Sequence, residues 1–163
     1  TVTAERRVVM GVKCVIVRES ATTRGALVED TRACFAQDAS GNVWLFGEEA
    51  REIAPDGAVD TAGSWEAGVG GAQPGIVMPS PALPGELFRQ AYLLGVTEDL
   101  TRILALDQTV SVPAGTFDGC LETKEWSMLE SGNETKWYAK GVGMVREEAT
   151  AGAVAALVSI TTK

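Results

Sequence analysis

The sequence predicts an all-β fold in which antiparallel strands follow one another as a meander and form a curved sheet, barrel or half-barrel. Short runs rich in β-branched and aromatic residues alternate with clusters of Gly, Asp, Asn, Ser and Pro, which is typical of strands joined by tight turns. The clearest hairpin lies in Ala33–Glu48. Its two apolar runs flank Asp38–Gly41, where Asp and Ser can bond their own backbone and glycine can adopt a positive φ.

The first third of the chain repeats this hairpin pattern. Thr1–Val9 and Val12–Val17 are short β-branched runs, and Met10–Gly11 between them suits a turn. Ala26–Ala36 leads into the central hairpin, and Ala54–Gly57 has the Pro-Asp-Gly order that type I turns favour. These spacings predict antiparallel strands that each pair with their neighbour along the chain.

The Trp65–Pro84 stretch interrupts the rhythm, because it is rich in Gly and Pro and has a single apolar island. We expect a long, mostly irregular Gly/Pro loop that lies across one opening of the sheet. Loops of this length in compact domains often carry function.

The later part of the chain is less uniform. Glu86–Leu94 and Glu98–Leu106 have helical propensity, yet their apolar residues also alternate, so both a helix and a strand remain open. Phe117–Met128 and Ala153–Thr161 have the composition and alternation of strands.

Composition limits the function classes. The 163 residues predict a single domain over 1–163, large enough for a core without disulfides or metals. The formal net charge of -8 disfavours binding to nucleic acid. Histidine is absent, which excludes Ser-His-Asp and Cys-His nucleophiles and His-ligated metal sites. No apolar run is long enough to predict a transmembrane segment.

The three cysteines, Cys14, Cys34 and Cys120, lie in strand-like runs and form no CxxC pair. Two interpretations stay open from the sequence. All three can be buried thiols that act as small hydrophobic residues, or two of them can form a disulfide and leave one thiol free.

The candidate ligand contacts lie in the Gly/Pro loop. Trp65 and Glu66 begin it, and Ile76 and Met78 belong to its apolar island. An aromatic ring beside a carboxylate can wall a ligand pocket, although capping the open end of a sheet is the simpler role for Trp65. The glycine-rich Gly68–Gly75 lacks the Gly-Lys-Ser/Thr ending of a phosphate loop and reads as a turning segment.

Paired carboxylates at Glu48–Glu49, Glu98–Asp99 and Glu147–Glu148 read as surface charge, because adjacent strand residues point to opposite faces. The sequence therefore predicts no catalytic residue, no metal site and no cofactor.

Several segments together carry a resemblance. They are AQD with GNVW and FGE within 36–48, GSWEAG at 63–68, VPAGTF at 112–117, and YA with GVG at 138–143. They resemble a widespread group of uncharacterised, secreted bacterial proteins of all-β structure. The resemblance implies export through an N-terminal signal, a secreted, periplasmic or cell-surface location, and an upstream strand-forming segment. It implies no activity.

Three functional hypotheses follow. The first is a secreted, non-enzymatic binding or surface protein that holds an apolar or amphipathic small molecule through Trp65, Glu66, Ile76 and Met78. The second is a structural subunit of an extracellular assembly that self-associates by edge-strand addition at Thr1–Val9. The third is a cofactor-free enzyme, a cyclase or isomerase, with carboxylates, Tyr92 or Tyr138 as acid–base groups.

Overall fold

The structure, a computed structural model, describes residues 1–161 and confirms the all-β prediction. All the strand pairs described are antiparallel, and residues 1–161 contain no helix. It follows that no helix in this range has the length and hydropathy needed to span a membrane.

By its internal contacts the chain divides into two compact units. The first contains Thr1–Pro81 and Arg89–Glu98, and the second contains Ala82–Phe88 and the chain from Asp99 onward. The prediction of one domain over residues 1–163 stays a prediction, and the two units are described separately below.

The first unit is a succession of hairpins. Its strands are β1 (Val2–Val9), β2 (Val12–Thr23), β3 (Ala26–Gln37), β4 (Val43–Glu49), β5 (Glu52–Ile53), β6 (Val59–Asp60), β7 (Trp65–Glu66), β8 (Gln73–Met78) and β9 (Leu87–Leu93), of which β9 begins in the second unit. The order is β1-β2-β3-β4-β8-β9; β7 also pairs with β4, and β5 joins β3 to β6. Among the described residues β1 pairs only with β2, so the strand order is open at β1.

The predicted turns of this unit form as expected. Met10 and Gly11 both have positive φ, of 50° and 79°, as a two-residue hairpin turn requires. Gly41 has a φ of 95° in the turn between β3 and β4. The register of β3 against β4 pairs Gln37 with Val43, so Ala33–Glu48 is the hairpin that its sequence predicts.

The Gly/Pro stretch 65–84 contains two strands, β7 and β8, in addition to irregular segments. Strand β8 was not expected, because Pro74 and Gly75 both have low strand propensity. The structure shows why glycine is needed there. A Cβ atom on Gly75 would lie 2.4 Å from the carbonyl oxygen of Arg89 on β9, so only glycine allows β8 to approach so closely.

The second unit is a consecutive antiparallel series. Its strands are β10 (Thr97–Val112), whose first two residues belong to the first unit, β11 (Gly115–Ser127), β12 (Glu134–Ala139), β13 (Gly143–Ala149) and β14 (Val154–Ala156). The order is β10-β11-β12-β13-β14. Both ambiguous segments, 86–94 and 98–106, are therefore strands.

The final predicted strand is shorter than its apolar alternation indicates. Only Val154–Ala156 pairs with β13, and Leu157 then donates its backbone N–H to the Val145 carbonyl. The Leu157 carbonyl accepts a hydrogen bond from Ala114 N–H in the β10–β11 turn. This bond ends the β14 ladder, and Val158 beyond it is 71% exposed.

Each unit has a core of its own. The first core consists of Val9, Cys14, Ile16, Ala33, Cys34, Leu45, Phe46, Trp65, Ala67, Ala72 and Ala91. The second is smaller and is built from Val110, Cys120, Ala139 and Val145, with Val112, Phe117, Trp137 and Leu157 packed against them.

We predict that Ile103→Ala lowers the free energy of unfolding by about 2–5 kcal/mol, because the Ile103 side chain is fully buried and truncation leaves a cavity. Leu104→Ala is the matched control. Leu104 is the next residue and is 40% exposed, so its truncation should cost less than about 1 kcal/mol. Urea unfolding followed by circular dichroism measures both, and equal losses would contradict this account of burial.

Candidate functional site

The four predicted ligand contacts lie on two strands that pair with the same strand, β4. Trp65 and Glu66 form β7, whereas Ile76 and Met78 lie on β8. Trp65 is 6% exposed, belongs to the first core and donates its indole N–H to a Glu48 oxygen at 3.2 Å. Ile76 and Met78 are half-buried. Trp65 therefore stabilises the core, and a role of these residues as ligand contacts stays a prediction.

Glu66 takes part in a surface ion-pair group. Its carboxylate pairs with Arg7, which also bonds Glu49, and all three side chains are about one third to one half exposed. Exposed pairs of this kind contribute little to stability.

The Asp38 turn explains one of the motifs in the sequence. The Asp38 carboxylate accepts hydrogen bonds from Trp44 Nε1 at 2.9 Å and from Asn42 Nδ2 at 2.8 Å. It also accepts from the backbone N–H groups of Ser40 and Asn42. The bond from Trp44, with those from Asn42 and the backbone, lowers the pKa of Asp38 to about 2. The residues AQD and GNVW thus close a turn rather than form a reactive site.

A buried polar group, the Glu125 cluster (Thr123, Glu125, Lys136 and Tyr138), occupies one face of the second unit. Glu125 Oε1 accepts hydrogen bonds from Thr123 Oγ1 at 2.9 Å and from Tyr138 Oη at 2.8 Å. Lys136 Nζ lies 3.2 Å from Glu125 Oε2. Thr101 lies directly across from Glu125 in the β10–β11 register, and its buried hydroxyl makes no hydrogen bond within the described chain.

Electrostatics hold the protons of Tyr138 and Lys136 in place. Burial and the adjoining Glu125 carboxylate raise the pKa of Tyr138 well above its usual value of 10. Burial opposes the charge on Lys136, but Glu125 and Glu134 outweigh that cost, so the pKa of Lys136 is raised. Both shifts favour the protonated form of Tyr138 and Lys136 near neutral pH, and the bonds within the cluster stabilise the sheet.

An open groove of about 360 Å³ lies elsewhere in the second unit. The Trp126 groove is lined by Arg102, Lys124, Trp126, Gly132 and Asn133. In the register of β10 and β11, Arg102 lies directly opposite Lys124. Because side chains alternate between the two faces of a strand, Arg102 and Lys124 lie on the face opposite to Thr101, Thr123 and Glu125. Two cations, an indole ring and a turn thus meet on one side of the sheet.

The Thr150 hydroxyl holds the backbone of Asn133 in place at the rim of the Trp126 groove. Asn133 N–H donates to Thr150 Oγ1 at 3.2 Å, and the Thr150 hydroxyl donates to the Asn133 carbonyl at 2.7 Å. The same connection between β11 and β12 carries two exposed apolar side chains, Met128 at 63% and Leu129 at 45% exposure. The segment from 126 to 133 therefore combines apolar surface with a positioned rim.

A second open groove, of about 600 Å³, lies in the first unit. It is lined by Val28, Glu29, Glu52, Ile53, Ala54, Ala58, Val59 and Asp60. Glu29 lies opposite Glu52, which in turn lies opposite Asp60, and all three residues are exposed. The exposed carboxylates of this groove therefore lie beside the apolar residues Val28, Ile53 and Val59.

The cysteines are free thiols. Cys14, Cys34 and Cys120 are all buried, and burial raises the pKa of each thiol. A raised pKa lowers the thiolate fraction, so these residues behave as small apolar side chains. Within residues 1–161, no group of three or more Cys, Asp or Glu side chains is arranged to hold a metal ion.

Comparison with known proteins bears on the second unit. Residues 99–160 are similar to a protein family described as DUF3108-like. No curated protein and no solved structure matches the chain. The matched range contains the Glu125 cluster and all the residues that line the Trp126 groove.

The sequence did not reveal the Trp126 groove or the partners of Tyr138. Tyr138 was an acid–base candidate, but Glu125 and Lys136 were not singled out. The alternation of residues along β11 could have indicated this arrangement. It places Lys124 and Trp126 on one face of the strand and Thr123 and Glu125 on the other. Arg102 joins the first pair only when residues 98–106 are known to be a strand.

We predict that the Asp38 carboxyl titrates with a pKa of about 2, against its usual value of 3.8. Because the folded-state pKa is lowered, the contribution of Asp38 to stability is present above 3.8 and is lost as the pH falls through about 2. Trp44→Phe removes the first donor and should move the pKa toward 3.8. Carbon-13 NMR titration measures both, and an unchanged pKa in Trp44→Phe would mean that Asn42 and the backbone suffice.

We predict that Glu125→Ala lowers the free energy of unfolding by about 3 kcal/mol, because it removes the acceptor of two hydroxyl groups in a buried network. Glu134→Ala is the control. The Glu134 side chain also pairs with Lys136 but is 41% exposed, so its loss should cost less than about 1 kcal/mol. Chemical denaturation compares the two variants, and a smaller loss for Glu125→Ala would refute this role.

Proposed function

We propose that this protein is a non-enzymatic binding protein that holds an amphipathic small molecule in the Trp126 groove. The observation that supports the proposal is that one groove combines apolar surface with positive charge. Trp126 offers apolar surface in the lining of the groove, and Arg102 and Lys124 offer charge there. The exposed Met128 and Leu129 lie on the connection that follows Trp126. Small-molecule sites typically combine aromatic walls with a few polar groups that fix orientation.

This proposed site differs from the one that the sequence predicts. The predicted contacts lie in the Gly/Pro stretch of the first unit, whereas the Trp126 groove lies in the second unit. Trp65 packs in the first core and bonds Glu48, and this supports a structural role for it. Ile76 and Met78 remain the alternative contacts, and the binding experiment below distinguishes the two places.

The raised pKa of Tyr138 argues against one of the acid–base groups of the enzyme hypothesis. Tyr138 holds its proton well beyond neutral pH and so offers no base for the cyclase or isomerase hypothesis. The other groups of that hypothesis, Tyr92 and the carboxylates, stay predictions. A binding protein needs no acid–base group.

We predict that monomeric octyl phosphate or octyl glucoside, each below its micelle concentration, shifts the NMR signals of the Trp126 indole and of the Met128 methyl group. Trp126→Ala should weaken this binding about tenfold or more, because Trp126 is the aromatic side chain that lines the groove. Trp44→Phe, in the first unit, is the control and should bind as the natural chain does.

Two results would overturn the proposal. In the first, neither octyl compound binds. In the second, the shifts fall on the Ile76 and Met78 methyl groups and Trp126→Ala has no effect, which would return the ligand to β8.

A second candidate function, self-association through an edge strand, is supported by the end of the described chain. The run 153–161 carries no charge, and Val154, Val158 and Ile160 are 51–71% exposed. At the other edge the guanidinium of Arg6 donates to carbonyl groups within β1, and charged side chains of this kind discourage strand addition. Light scattering across a wide concentration range tests this candidate, and a strict monomer argues against it.

We propose that the protein acts outside the cytoplasm, as a secreted, periplasmic or cell-surface protein. The support is the resemblance of its AQD, GSWEAG and VPAGTF segments to secreted all-β proteins. Fractionation of the source cells with an antibody to this chain tests the location, and recovery in the cytoplasmic fraction alone would refute it.

A further inference from the structure

We propose that the ligand of the Trp126 groove carries an anionic head group, a phosphate or a carboxylate, that Arg102 and Lys124 bind together. This inference rests on the proposed function, since it names the class of amphipathic molecule that the groove takes. The argument depends on register, on the surrounding charges and on the geometry of the donors.

The register places two like charges side by side. Arg102 and Lys124 are direct cross-strand partners on β10 and β11, so their Cβ atoms are about 5 Å apart on one face of the sheet. Like charges directly opposite each other destabilise a strand pair. An anion bound between the two side chains converts this repulsion into two attractions.

No carboxylate among the described residues pairs with either cation of the groove. In the chain from residue 1 to 161, neither Arg102 nor Lys124 forms an ion pair or a side-chain hydrogen bond. The nearest carboxylates by register on the same face are Glu122 and Glu148, and Glu148 is bonded to Arg146. Glu122, two residues from Lys124 on β11, does not pair with either cation.

Lys136 differs from the two groove cations in its carboxylate partners. Lys136 lies on the other face of the same sheet, within 3.5 Å of oxygens of Glu125, Glu134 and Glu147. One cation of this unit thus has three carboxylate partners, whereas the two cations of the groove have none among the described residues. The charge at the groove is available to a ligand.

The donors suit an oxyanion head group. A guanidinium group offers a planar pair of N–H donors that matches two oxygens of a phosphate or carboxylate, and an ammonium group adds a point charge. Asn133 contributes an amide at the rim, whose backbone Thr150 holds in place. The indole ring of Trp126 offers an apolar contact for the tail of the ligand.

The test compares head groups on a common tail. Octyl phosphate, octyl glucoside and inorganic phosphate are titrated by calorimetry into the natural chain, Arg102→Gln, Lys124→Gln and the control Lys140→Gln, which changes an exposed cation outside the groove. We expect octyl phosphate to bind at least tenfold more tightly than octyl glucoside. Each groove variant should lose about tenfold in affinity for octyl phosphate and nothing for octyl glucoside.

Salt and stability give independent readouts. Affinity for octyl phosphate should fall with added salt, because exposed charges are screened. Thermal melts of the free proteins should be unchanged or slightly raised in Arg102→Gln and Lys124→Gln, since each variant removes a like-charge contact.

The outcomes separate this inference from the proposed function. If both octyl compounds bind equally and the charge variants bind as the natural chain does, the anionic head group is refuted and the binding function stands. If inorganic phosphate binds as tightly as octyl phosphate, the groove is an anion site and the amphipathic ligand is refuted. If none of the three compounds binds, both proposals fall.

Discussion

The register between β10 and β11 is the constraint on which the second unit depends. It pairs Thr101 with Glu125 on one face and Arg102 with Lys124 on the other. Since side chains alternate along a strand, a slip of one residue would exchange the two faces and place charged side chains where buried ones belong. The fully buried Ile103 would then become exposed. The positions of the groove cations are therefore consequences of the packing beneath them.

The Glu125 cluster is the feature most able to specify that register. Glu125 is 7% exposed, and its carboxylate bonds two hydroxyl groups and Lys136 at once. A buried ion pair adds little to stability when compared with apolar residues, but a displaced partner leaves a buried charge without compensation. The correct register is therefore favoured because the alternatives are costly. The same register holds Arg102 beside Lys124, although like charges directly opposite each other are unfavourable.

The sequence predicts the fold well where turn chemistry and alternation agree. Asp38–Gly41 has the residues of a tight turn, and the structure adds only that Trp44 and Asn42 complete it. Prediction is weaker in Glu98–Leu106, where helix propensity and strand alternation conflict, because only the pairing with β11 decides between them. Strand β8 could not be predicted either, since the need for Gly75 arises from the approach of β9.

The candidate site could not be predicted for the same reason. Lys124 and Trp126 show as alternating residues in the sequence, but Arg102 lies 22 positions earlier and comes opposite Lys124 only through strand pairing. Net charge is also a poor guide to the field at one local site. The chain carries a formal charge of -8, yet in physiological salt charges act over a screening length of about 8 Å. The proposed anion would therefore respond to the two adjoining cations far more than to distant carboxylates, since within residues 1–161 neither cation forms an ion pair.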